Sequence, residues 1–223
     1  MRYAVRSSTI LGIALALLGP GAVAFLWVQY AAVSESLATR SLGLLAFVAL
    51  VAAVVLIARR GEHLAWSDVG FGRISWATVG WAAALVFFLV FVFGPLAAAL
   101  NEHIGTGSFN AGIALLSDLP LWYLIPTIVL VAAGEEWLYR GYAIERLASL
   151  IGNIWPSAMI SLIAFSAAHI PMYGVGSSLN ALLGGAIFTA LYVWRRDVTP
   201  LILAHVATDL YGLAIAPVLA SRP

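Results

Sequence analysis

Ionisable side chains lie within three otherwise apolar stretches of the second half of this sequence. The set comprises Glu135, Glu136, Arg140, His169, His205 and Asp209. A carboxylate that works with an imidazole can take a proton from water, and a second imidazole can donate a hydrogen bond to a developing oxyanion. The residue types therefore point to hydrolysis.

Helical spacing divides this set. Glu136 and Arg140 are four residues apart with the acid first, which is the favourable order for an ion pair along one helix face. His205 and Asp209 also share a face. Glu135 points about 100° away from Glu136, because an α-helix has 3.6 residues per turn. We interpret Glu136 as the partner of Arg140 and predict that Glu135 has a different role.

A depth estimate brings the separate stretches together. If the chain turns back near Gly152, Glu135 and His169 lie at the same depth on antiparallel helices. Two further turns bring Asp209 to this depth and place His205 about one helical turn (~5.4 Å) nearer the cytoplasmic side. We predict that the four side chains line one cavity. If these helices cross a membrane, this cavity lies a few helical turns from its cytoplasmic face.

Two kinds of hydrolytic site use these residues. In a metal-free site, Glu135 and His169 activate water while His205 and Asp209 hold the oxyanion. In a zinc site, Glu135, His169 and His205 are the ligands and water takes the fourth position. We favour the metal-free site without a cofactor, because no His-Glu-x-x-His helix is present. The lack of Cys and of Gly-x-Ser-x-Gly argues against a nucleophilic acyl-enzyme.

The composition indicates that membrane helices must position these residues. Hydrophobic residues make up 63% of the 223 residues and charged residues 9%, and the mean hydropathy is +1.01. A soluble domain of this size has too much surface for so few polar residues to cover. This composition excludes a disordered chain, a collagen, a disulfide scaffold and a nucleic-acid-binding surface.

The expected fold is an all-α polytopic membrane protein that forms a single membrane domain over residues 1–223. A membrane helix needs ~20 apolar residues. We identify seven apolar runs and therefore predict about seven transmembrane helices. The runs are 9–33, 41–58, 76–100, 120–139, 155–171, 179–194 and 198–219.

The arginines predict the orientation of these helices. With the N-terminus inside, nine arginines fall on the cytoplasmic side and only Arg40 and Arg222 fall outside. Cytoplasmic loops carry the excess of basic residues, so we predict an N-in, C-out topology. The first run could be a signal peptide, with Ala22-Val23-Ala24 as its cleavage pattern. We favour an uncleaved helix, because the apolar run continues beyond that pattern.

Three motifs resemble those of the CPBP family (CAAX protease and bacteriocin-processing, or Abi) of intramembrane peptidases. They are Glu135-Glu136-x-x-x-Arg140, Phe165-x-x-x-His169 and His205-x-x-x-Asp209. The similar region covers roughly residues 120–212, which we expect to be the catalytic core. The third family motif ends in Asn or Asp, and here it ends in Asp209.

The resemblance implies a glutamate-type endopeptidase related to the prenyl-protein CAAX endopeptidase, with a cavity open to the cytosol. It implies that Glu135 and His169 activate water and that His205 and Asp209 stabilise the oxyanion. Glu136 and Arg140 would support the site. A metallopeptidase with bound zinc is the alternative.

The expected partners are the lipid bilayer and a membrane-anchored protein or peptide substrate, with no nucleic acid. Compact length and the use of Arg without Lys favour a bacterial source and the cytoplasmic membrane.

A second class of function uses the same charges without catalysis. A membrane binding, transport or immunity protein could employ them as a proton or ligand relay. Transporters usually have discontinuous helices in both halves, whereas these polar residues lie in one half. The sequence therefore favours the peptidase.

Overall fold

The structure is a computed structural model, and it describes residues 7–31, 36–105, 116, 119–216 and 219. The regular elements in this part of the chain are all helices, in agreement with the predicted all-α class. The nine α-helices are α1 (Ser7–Ala31), α2 (Leu37–Leu56), α3 (Trp76–Phe88), α4 (Gly94–Ile104), α5 (Leu121–Glu136), α6 (Glu145–Ile151), α7 (Ile154–Ala168), α8 (Ile170–Arg195) and α9 (Thr199–Asp209).

Short π-helical and 3₁₀ segments continue or join these helices. The π segments are Ile57–Gly61 after α2, Leu89–Phe93 between α3 and α4, Trp137–Ile144 between α5 and α6, and Leu210–Ile215 after α9. A 3₁₀ turn, Trp66–Val69, lies between α2 and α3. Because the π segments continue their α-helices without a break, α3 with α4 and α5 with α6 each form one long rod.

Four of the continuous helices are long and apolar enough to cross a membrane. They are Ser7–Tyr30, Leu37–Gly61, Trp76–Ile104 and Leu121–Ile151. A fifth candidate consists of Ile154–Ala168 and Ile170–Gly176, which meet at a bend of 98°. The protein is therefore a polytopic helical membrane protein.

The predicted count of seven spans and the N-in, C-out topology are not confirmed by these helix lengths. The run 155–171 ends at the bend near His169. The run 179–194 lies within α8, where Gly174 has left-handed backbone angles (φ 79°). The last run forms a helix over Thr199–Ile215, which is shorter than a full span. Apolar composition alone does not reveal such breaks.

One end of the bundle is densely packed around the π segment Trp137–Ile144, in which every residue is buried. Val54, Ala58 and Val69 pack against this segment, together with α1. A Cβ at Gly141 would lie 2.6 Å from the carbonyl oxygen of Val69. Only glycine therefore allows the 3₁₀ turn to approach so closely.

Ion pairs and hydrogen bonds complete this packed end. The Glu62 carboxylate accepts hydrogen bonds from Thr9 (2.6 Å), Tyr142 (2.6 Å) and Arg146 (3.0 Å). Glu145 accepts hydrogen bonds from Tyr192 (2.6 Å) and Arg196. The bonds from Tyr142 and Arg146 to Glu62 join the second half of the chain to the first. We call this end of the bundle the packed end. It extends from residue 137 to the residues that are hydrogen-bonded to Glu62 and Glu145.

Candidate active site

A cavity of about 680 Å³ lies beside the packed end. The four side chains predicted to meet there all line it: Glu135, His169, His205 and Asp209. Glu136 also contributes to the wall. Most of the remaining lining is apolar, as is usual for pockets that hold an organic ligand. The structure therefore brings together the residues that depth and spacing predicted to meet.

Glu136 and Arg140 form the ion pair expected from their spacing. Arg140 Nη1 lies 2.9 Å from Glu136 Oε1, and both side chains are 1% exposed. A second partner was not foreseen: His205 Nδ1 also lies 2.9 Å from the same Oε1 atom.

Arg140 fixes α8 against this pair. Its Nη2 donates a hydrogen bond of 3.2 Å to the carbonyl oxygen of Gly185. Its guanidinium lies 4.1 Å from the ring centroid of Phe165 and 5.7 Å from that of Phe188. A Cβ at Gly185 would lie 2.9 Å from the Phe165 ring. The charge is therefore held by a carboxylate, a carbonyl and two aromatic rings.

His169 occupies the bend between α7 and α8. The backbone N–H of His169 bonds to the carbonyl of Ser166 at 3.1 Å, so the Phe165 carbonyl at the helix end needs another donor. His169 Nδ1 lies 2.8 Å from that carbonyl oxygen. A carbonyl can only accept, so Nδ1 carries the proton and a neutral ring has its Nε2 lone pair available. His169 is thus prepared to accept a proton at Nε2.

His205 is oriented by carboxylates. The ionised Glu136 can only accept, so His205 donates from Nδ1 to it. His205 Nε2 lies 3.6 Å from Asp209 Oδ2, on the same face of α9 as the four-residue spacing predicted. The distance exceeds that of a hydrogen bond but allows a charge interaction. As an imidazolium, this ring could donate from Nε2 as well.

Glu135 differs from every other carboxylate near the cavity. It is partly exposed to the cavity, whereas Glu136 beside it is fully buried. Within the part of the chain that the structure describes, its carboxylate makes no hydrogen bond or ion pair. It lies within electrostatic range of His169, His205 and Asp209. A water molecule or a substrate is therefore the partner that its oxygen atoms can take.

Sequence reasoning missed further residues of the wall. Tyr173 stacks on His169, with ring centroids 5.8 Å apart and an interplanar angle of 22°. Asn180 donates a hydrogen bond of 3.1 Å to Asn101. This bond joins α8 to α4. A polar residue in each of two apolar helices was the only available signal.

The cavity extends away from the packed end. From Glu136 and His205 it extends toward the C-terminal ends of α1 and α4 and the N-terminal ends of α2 and α5. The arginine-bearing packed end lies on the other side of the site. The resemblance implies a cavity open to the cytosol, and that opening stays a prediction.

A comparison with protein families identifies the second half of the chain. Residues 117–211 match the model of the type II CAAX prenyl endopeptidase Rce1-like family. This match places residues 117–211 in the CAAX protease family. No curated protein and no solved structure matches it. Together, this match and the apolar helices indicate a membrane protease that acts on membrane-associated proteins.

The zinc alternative is poorly matched by this arrangement of side chains. Among the residues that the structure describes, no group of three or more His, Asp or Glu residues is arranged to hold a metal ion. His205 has one nitrogen bonded to Glu136 and the other beside Asp209. His169 has a free Nε2, as a zinc ligand would. One suitable imidazole does not make a zinc site.

Proposed function

We propose that the protein cleaves peptide bonds by metal-free general-base hydrolysis, with Glu135 and His169 activating water. The observation that supports this proposal most directly is the position of Glu135. Its carboxylate faces the same cavity as His169, His205 and Asp209 and has no hydrogen bond or ion pair among the described residues.

In the proposed first step, a water molecule between Glu135 and His169 attacks the carbonyl carbon. The Glu135 carboxylate takes one proton, while the carbonyl oxygen becomes an oxyanion. His169 supports this step because its Nδ1 is committed to the Phe165 carbonyl and its Nε2 can accept a hydrogen bond from the same water. The new C–O bond gives a tetrahedral intermediate.

In the second step, the intermediate collapses and the C–N bond breaks. The proton held by Glu135 passes to the leaving amine, so that one water molecule yields one carboxylic acid and one amine. His205 stabilises the oxyanion from Nε2 in its imidazolium form, with Asp209 as the nearby counter-charge. Asp209 itself, when ionised, cannot donate to the oxyanion, so we assign it a role through His205.

Glu136 and Arg140 position this machinery. Glu136 Oε1 is shared by His205 and Arg140 and fixes the orientation of the imidazole. We assign neither residue a contact with the substrate. A membrane-anchored protein or peptide is the proposed substrate, and a bacterial cytoplasmic membrane is the proposed location.

The test is cleavage of a membrane-anchored reporter by the purified protein in detergent. We expect Glu135→Gln and His169→Ala each to lower kcat about 10²–10⁴-fold, the range for loss of a general base. Glu102→Gln and His103→Ala are matched controls, because both residues are exposed on α4 away from the site. Undiminished cleavage by both site variants would contradict the mechanism, whereas no cleavage by the unaltered protein would leave a binding or relay function.

A further inference from the structure

Tyr173 lies in the cavity wall beside the side chains of the proposed mechanism, which gives it no role. It is half-buried in the first turn of α8, four residues after His169. Its backbone N–H donates a hydrogen bond of 2.9 Å to the carbonyl oxygen of His169, and its ring stacks on the His169 imidazole. The bend that positions His169 therefore positions this phenol as well.

The hydroxyl group of Tyr173 lies near two carboxylates of the site. Asp209 and Glu135 are both within its electrostatic range, and both are also within range of His169. A tyrosine hydroxyl carries its proton at neutral pH and can donate a hydrogen bond. Tyr173 therefore brings a neutral O–H donor to the groups that are proposed to react.

The proposed reaction has a use for such a donor. Sites that hold a tetrahedral oxyanion usually direct more than one hydrogen-bond donor at it. Here His205 can donate from Nε2, whereas an ionised Asp209 can only accept. The negative charge of Asp209 also opposes the charge that develops on the substrate oxygen. A second donor near Asp209 would offset this repulsion.

Other polar side chains of the cavity wall are less suited to this role. Thr127 donates its hydroxyl hydrogen to the carbonyl oxygen of Tyr123 at 2.8 Å, and Asn180 donates to Asn101. The hydroxyl oxygen of Thr208 is enclosed by protein atoms, so a substrate in the cavity does not reach it. The phenol is therefore the best-placed second donor in the described part of the wall.

We infer that Tyr173 is a further catalytic residue, whose hydroxyl group donates a hydrogen bond to the substrate oxyanion together with His205. This inference rests on the proposed peptidase function. The hydroxyl keeps its proton throughout, so the proton that Glu135 takes from water still passes to the leaving amine. The hydrogen bond strengthens as the carbonyl oxygen becomes charged, so it acts on kcat rather than on substrate binding.

The first experiment removes the hydroxyl group and keeps the ring that stacks on His169. We expect Tyr173→Phe to lower kcat for the membrane-anchored reporter about 10²–10³-fold, with KM and the thermal unfolding in detergent unchanged. Tyr211→Phe is the control, because Tyr211 is 39% exposed and lies outside the cavity lining. Undiminished kcat in Tyr173→Phe would overturn the inference, since the ring alone would then serve the site.

The second experiment supplies another donor beside the oxyanion. Asp209→Asn exchanges a carboxylate for an amide that can donate, and the motif that this chain resembles ends in either residue. Tyr173→Phe should therefore lower kcat by a smaller factor in the Asp209→Asn protein than in the unaltered one. An equal factor in the two proteins would overturn the assignment to the oxyanion. Absence of cleavage by the unaltered protein would instead remove the proposed function itself.

Discussion

The packed end and the opposite end of the bundle, which contains the cavity and is called the cavity end, satisfy their polar groups in different ways. At the packed end, Glu62 accepts three hydrogen bonds, two of which come from Tyr142 and Arg146. At the cavity end, Glu135 has no hydrogen bond or ion pair within the described chain. Glu136, the neighbouring residue, lies between the two ends and is paired with Arg140 and His205. The difference shows that a carboxylate is left available only where the fold also provides space for water and substrate.

The two adjacent glutamates provide the strongest test of this comparison. We expect Glu135→Gln to lower kcat at least about 100-fold with little change in the free energy of unfolding. Glu136→Gln should instead destabilise the fold by about 3–5 kcal/mol, because it leaves the Arg140 charge buried without its carboxylate. Reporter cleavage and thermal unfolding in detergent measure the two effects. Equal loss of stability in both variants would remove the distinction.

Part of this division was predictable from the sequence. Glu136 and Arg140 lie in one helix, so their spacing fixes their contact whatever the other helices do. The bond from His205 to Glu136 joins distant helices, and its prediction would require their relative depth to better than one turn. That depth depends on the bend at His169 and on the break at Gly174.

Other features lay outside the information that spacing contains. The proton position on His169 depends on a carbonyl of Phe165 that is free only because the helix ends there. The all-α class followed from apolar composition, which is a property of the whole chain.

The packing beside Arg140 should leave no room for a larger side chain at Gly185. Gly185→Ala would place a Cβ 2.9 Å from Phe165, the ring that stacks on the guanidinium. We expect destabilisation by about 1–3 kcal/mol, as for overpacked cores. Gly80→Ala is the control, since nothing lies within 4 Å of a Cβ there. Denaturation in detergent compares them, and equal stability of the two variants would contradict the close packing.

A single buried hydrogen bond should have a smaller effect. Ser161 Oγ donates to the carbonyl oxygen of Tyr139 at 2.6 Å, which joins α7 to the π segment of the packed end. Ser161→Ala should reduce the free energy of unfolding by about 1 kcal/mol. Ser149→Ala removes an exposed bond to Arg146 and should change stability less. An effect of Ser161→Ala no larger than that of the control would argue against this contact.

Chelation should have the smallest effect. If water is activated by Glu135 and His169 alone, dialysis against a chelator should leave reporter cleavage unchanged, and the active protein should contain no stoichiometric zinc. Metal analysis and activity are measured on the same sample. Loss of cleavage that returns on addition of Zn²⁺ would favour Glu135, His169 and His205 as metal ligands.

The ion pair between Glu136 and Arg140 also bears on how the chain is made. Each charge alone would cost at least ~2.5–3.5 kcal/mol to place in the centre of a bilayer. The two residues are one helical turn apart in the same rod and bond to each other at 2.9 Å. They can therefore neutralise each other as soon as that rod has formed. Insertion of the newly synthesised segment need not wait for α8 and α9 to arrive from the ribosome.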